Sequence, residues 1–167
     1  AIGSAFGGRI ADRVARPLRL FGLLELALAA IVIATPVTFA LIHEVYRSAF
    51  GTLQSNPALL TAVRYALSLA ALGPATILMG ATLPTLTRHL TGDSSRLSVA
   101  FGRLHAANTA GAILGTIAAG FILIELLGLW RTLAAGAACS ALAGALALMI
   151  DRLGREEAVA PPPLEVI

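Results

Sequence analysis

Gly7-Gly8-Arg9-Ile10-Ala11-Asp12-Arg13-Val14-Ala15-Arg16 is a short basic stretch set between two apolar segments, the second of which runs from Leu18 to Ile42. That pairing decides the fold. About 20 apolar residues in a helix cross the hydrocarbon core of a bilayer, and basic residues at the ends of such a helix orient it. The stretch therefore reads as a tight turn between two membrane helices, and Ala1 to Gly8 reads as the last two turns of a truncated transmembrane helix.

Composition agrees. Of the 167 residues, 57% are hydrophobic and 13% charged, whereas soluble domains carry roughly 25% charged residues. Water would not tolerate that much apolar surface, but lipid accepts it on every face of a helix. All twelve basic residues are arginine and they gather at segment ends. The net charge of +3 thus reflects membrane topology, and with no aromatic-interleaved basic patch it does not point to nucleic acid. Cys139 is the only cysteine, which excludes an intrachain disulfide, and it is expected to be a buried, inert thiol in a run of small residues. No cleavable signal peptide is legible at the start.

Four spans follow, at about Leu18–Ile42, Leu59–Leu86, Leu104–Leu127 and Thr132–Ile150. The expected organisation is a helix end at 1–8, a four-span bundle at 9–150, and a linker at 151–167 carrying Pro161-Pro162-Pro163 toward a missing domain. Arginines number four in loop 9–19, two between His43 and Arg64, three in loop 88–103, one at Arg131 and two after Asp151. The alternation fits antiparallel spans, with loops 9–19 and 88–103 and the C-terminal tail cytoplasmic at a plasma (inner) membrane.

Between His43 and Asn56 polarity is mixed, which fits either an interfacial amphipathic helix or an exposed loop. Pro57 suits the first position of the next helix. Gly73-Pro74 and Pro84 each remove a helical hydrogen bond and invite a kink. Asp93-Ser94-Ser95 reads as a polar turn that caps the following stretch.

On the third span Asn108, Gly111, Gly115 and Ala118 share a face, the pattern of a close interhelical seam. The fourth span, with Ala135, Gly136, Cys139, Ser140, Ala143, Gly144 and Ala147, is the expected partner. Glu25 lies about 10 Å into the first span. A carboxylate at that depth needs a partner, water or a proton, and so marks a candidate site. By topology His105, Asn108 and Thr82, with Thr85 and Thr87, reach similar depth. The expectation is a polar cluster that either contacts a cationic substrate or proton, or locks helix packing. At the opposite end a Glu125–Arg131 ion pair with Trp130 as an interfacial anchor accounts for all three residues. His43 and His89 sit at segment edges and are expected to be solvated. The sequence has no glycine-rich phosphate loop, zinc-type cluster or Ser/His/Asp set, so no catalytic, metal or cofactor residue is assigned.

Gly8, Asp12, Arg13 and Arg16 match the loop between the second and third helices of major facilitator transporters, G-x-x-x-D-R-x-G-R and then a basic residue. Ala15 stands for the usual glycine and Pro17 for the basic residue. More of the chain is similar to the membrane portion of fused facilitator-like/spermidine synthase proteins. The similarity lies in Gly22-Leu23-Leu24-Glu25-Leu26, Leu78-Met79-Gly80-Ala81-Thr82-Leu83-Pro84, Gly102-Arg103-Leu104-His105-Ala106-Ala107-Asn108-Thr109-Ala110-Gly111, and Leu126-Leu127-Gly128-Leu129 with Arg131-Thr132-Leu133. His105 stands where an aromatic such as tyrosine is expected.

The facilitator resemblance implies half of a facilitator-type bundle, in which charge and helix-dipole contacts of the loop hold one conformational state. The synthase resemblance implies a membrane domain that anchors or feeds an aminopropyltransferase acting on decarboxylated S-adenosylmethionine and putrescine, a domain absent from these residues. Glu25 and Asn108 would then contact the cationic amine. Three readings stand: partner of such an enzyme, half of a transporter for a small cationic solute, or a structural anchor in the lipid bilayer.

Overall fold

In a computed structural model the chain is described at residues 2–53, 55–90 and 97–159. Those residues form helices and short connections, with no strand among them. The helices are α1 (Ile2–Arg13), α2 (Pro17–Leu53), α3 (Pro57–Leu90), α4 (Leu97–Ile117), α5 (Ile124–Leu127) and α6 (Leu129–Val159), and a π-helical turn, Ala118–Leu123, links α4 to α5. Four stretches are long and apolar enough to cross a bilayer: Pro17–Gly51, Pro57–Leu90, Phe101–Leu127 and Leu129–Gly154. The protein is an all-α membrane domain.

Helix ends depart from the sequence reading in three places. Helix α1 continues to Arg13, so only Val14-Ala15-Arg16 turns the chain. Helix α2 passes without a break through His43 to Leu53, where an interfacial helix or a loop was expected. Helix α6 continues to Val159, past the expected start of the linker at Asp151, while Pro161-Pro162-Pro163 and Asp93-Ser94-Ser95 lie outside the described residues. None of the three extensions, 9–13, 43–53 and 151–159, contains a proline, so each residue there has an amide to donate to the helix. Pro57 does open α3, and the Leu59 amide donates to Asn56 Oδ1 at 3.2 Å as an N-cap.

Helix α3 carries Pro74 and Pro84 in its interior, and α2 carries Pro36. Threonines accompany each of them. The hydroxyls of Thr35 and Thr38 donate to the carbonyls of Ile31 and Ala34, that of Thr76 to Leu72 and Gly73, and those of Thr82 and Thr87 to Met79 and Leu83. In lipid such bonds satisfy both the hydroxyl and a carbonyl near the proline gap.

Packing runs in the order α6–α2–α3–α1. Five of the seven buried apolar residues among those described are alanines, Ala11, Ala29, Ala81, Ala137 and Ala147, beside Leu18 and Leu28. Large side chains face outward instead, with Phe121 and Leu126 each 74% exposed. This arrangement suits lipid, where bulky residues gain nothing by hiding and helices associate through close backbone approach.

Helices α1 and α3 run parallel: Gly3 lies against Ile77, Gly7 against Ala81, and Asp12 beside Arg88. Helices α2 and α6 run antiparallel, with Gly22 against Gly144 and Leu148. That register sets the start of α6 level with about Ala40 of α2, so the α2–α3 hairpin projects about 20 Å further. There Arg64 Nε donates to Tyr46 Oη at 2.9 Å, and its guanidinium carbon lies 5.3 Å from the Tyr46 ring centroid. An exposed cation–π contact of this kind contributes about 0.5–1 kcal/mol.

Candidate functional site

The helix directions bring the three arginine-rich segments to one end of the bundle. Helix α1 ends there with Arg9 and Arg13, and α3 ends beside it with Arg88. Helix α2 begins there with Arg19 in its first turn, and α6 reaches the same level at Asp151 and Arg152. The like placement of the described helix ends in these segments follows from packing alone.

Asp12, the acidic residue of the facilitator-like motif, accepts an ion pair from Arg88 Nε at 3.7 Å. Both side chains are at least half exposed, so solvent screens the attraction. The pair stands at the rim of a cavity of about 430 Å³ whose lining includes Gly8, Leu83, Thr87 and Phe101. Asp12→Asn is expected to lower stability by no more than about 1 kcal/mol, measured by thermal unfolding in detergent. Raised salt should shrink the difference further. Arg13 and Arg16 are exposed and make no ion pair among the described residues.

Glu25 sits on the α2–α6 seam. Its Cβ would lie 3.2 Å from a Cβ built on Gly144, so the carboxylate leaves the helix at a point where the two backbones nearly touch. It is half-buried and makes no hydrogen bond or ion pair among the described residues. Thr85 is fully buried and spends its hydroxyl on the Ala81 carbonyl at 2.7 Å, as Thr82 does on Met79 at 2.9 Å.

His105 and Asn108 lie on α4, exposed, with the His105 ring stacked on Phe101 at 6.0 Å between centroids. Helix α4 makes no extended contact with α2 or α6. Glu25, on α2, is therefore not joined to His105 and Asn108 by any described contact, whereas α3, which carries Thr82, does touch α4. The face of Gly111 and Gly115 has nothing within 4 Å of either glycine, so the expected seam between the third and fourth spans is not formed. The small stripe of α6 packs on α2 instead, through Ala137, Gly144 and Ala147. Cys139 lies off that stripe and is exposed rather than buried. The expected Glu125–Arg131 ion pair is likewise absent among the described residues: Gly128, at φ +78°, turns the chain there and leaves both side chains and Trp130 exposed. His43 and His89 are exposed, as expected.

Two features escaped the sequence reading. The close approaches at Gly3 and Gly7 carried a signal, the small residues Gly3, Gly7 and Ala11 at every fourth position. The π-helical turn at Ala118–Leu123 carried none, since no proline lies near it. Comparison with known protein families, with curated proteins and with solved structures finds no match to this chain.

Proposed function

We propose that this membrane domain belongs to a spermidine-synthase-like protein, in which it anchors an aminopropyltransferase and offers a path or holding site for the cationic amine. The observation that carries the reading is Glu25, a half-buried carboxylate in an apolar span with no partner among the described residues. Such a group is costly in lipid unless a cation, water or a proton meets it, and a cationic amine supplies the first. Two of the segments that resemble the family each place a glycine, Gly22 and Gly80, at a close helix–helix approach. With the arginine-rich end in the cytoplasm, Glu25 lies on that side of α2, about 9 Å along the helix from Arg19.

The test is uptake of labelled putrescine and spermidine into vesicles carrying the protein. Glu25→Gln should reduce it roughly tenfold or more, since each 1.4 kcal/mol of lost ion pairing is a factor of ten. Uptake indifferent to the substitution sinks the carboxylate site. No uptake by the unaltered protein favours the plain anchor.

A second reading, half of a facilitator-type transporter, draws on one specific contact. The Asp12–Arg88 pair ties the end of α1 to the end of α3, which is where a state-holding charge contact of that family is expected. In that reading Asp12→Asn alters transport rate far more than it alters stability.

A further inference from the structure

We propose that the cavity between the first turn of α2 and the last third of α6 binds a phosphate ester, either the headgroup of an anionic phospholipid or a soluble phosphate. The cavity measures about 350 Å³ and is lined by Arg16, Arg19 and Leu23 on one side and Leu148, Asp151 and Arg152 on the other. That volume falls within the range of roughly 300–1,000 Å³ found for ligand sites. Three arginines and one aspartate line it, and among the described residues none of the four makes an ion pair. Guanidinium groups are planar forks of donors suited to phosphate oxygens, and they give up hydration more readily than ammonium groups.

The walls are graded in depth. Leu23 lies one helical turn below Arg19 on α2, and Leu148 one turn below Arg152 on α6, so both sides pass from cation to hydrocarbon over about 6 Å. A glycerophospholipid has the same profile, with phosphate above acyl chains. Arg16, Arg19 and Leu23 also border a neighbouring cavity of about 280 Å³ whose wall includes Val14 and Leu20, which extends the apolar floor around α2. Basic pockets between helices at the cytoplasmic surface suit such headgroups on general electrostatic grounds.

Binding of phosphatidylglycerol, phosphatidylcholine and sn-glycerol 3-phosphate to the protein in non-ionic detergent tests the proposal. Phosphatidylglycerol is expected to bind more tightly than phosphatidylcholine, whose choline cancels the phosphate charge. Arg19→Gln with Arg152→Gln should weaken phosphatidylglycerol by about twenty- to thirtyfold, at about fivefold for each arginine. Arg9→Gln with Arg103→Gln removes the same charge outside the cavity and should change affinity less than about twofold at physiological salt. Asp151→Asn should tighten binding, a gain that no misfolded variant would show. Equal binding of sn-glycerol 3-phosphate, with the same loss in the cavity variant, assigns the site to a soluble phosphate. Equal losses in the two double variants, or loss in neither, overturn the proposal.

Discussion

Gly7→Ala is expected to destabilise the bundle by about 3 kcal/mol or more, at the upper end of overpacking costs, whereas Gly8→Ala beside it is expected to be neutral or slightly stabilising. A Cβ on Gly7 would meet Ala81 Cα at 2.5 Å and Ala81 Cβ at 2.6 Å. The obstacle on the α3 side includes backbone, so it cannot swing away like a side-chain tip. The whole α1–α3 contact would have to open, and Gly3 against Ile77, one turn along, would lose its fit at the same time. A Cβ on Gly8 meets nothing within 4 Å, and there alanine's higher helix propensity, worth about 0.5–1 kcal/mol over glycine, acts unopposed. Thermal or denaturant unfolding of the two variants in one detergent measures the contrast. Equal stabilities would mean that α1 does not dock on α3 in this register.

The pair also marks the limit of what the sequence makes legible. Apolar run length and arginine placement identify the spans and their shared end, because both are set by the bilayer and not by neighbouring helices. Which glycine touches a neighbour depends on helix phase and partner, and neither is local. The motif match draws attention to Gly8, yet α1 stays helical to Arg13 and turns Gly7 toward Ala81. The stripe at Asn108, Gly111 and Gly115 is as good a seam pattern as Gly3, Gly7 and Ala11, and only the second is occupied. Glu25 was legible as a candidate because a carboxylate in an apolar span is rare whatever its partners. Its separation from His105 and Asn108 was not, since shared depth does not mean adjacency. Arg19, Asp151 and Arg152 entered the sequence reading only as topology markers, and the antiparallel register of α2 and α6 is what gathers them around one cavity.

That register rests on one crossing, and its disruption is expected to have the second large effect. Gly22 and Gly144 face each other so closely that a Cβ on Gly22 would lie 2.9 Å from the Gly144 carbonyl oxygen, and one on Gly144 would lie 2.8 Å from that of Gly22. Gly144→Ala is expected to cost about 2 kcal/mol and Gly144→Leu more than about 3 kcal/mol, as overpacking of a backbone contact. Gly22→Ala should cost about as much as Gly144→Ala. The two alanine changes should not add, because once either has spread the helices the other finds room. The double variant is expected to fall short of the sum by about 1 kcal/mol or more, read from unfolding of the four proteins of the cycle. Strict additivity would mean that the two glycines do not share a contact. The same crossing holds Glu25 beside Gly144 and sets Arg19 against Asp151 one turn further on. Spreading it should therefore weaken cation handling at Glu25 and phosphate binding at the arginines together, while Gly7→Ala, on the far side of α3, should leave both less affected than it leaves stability.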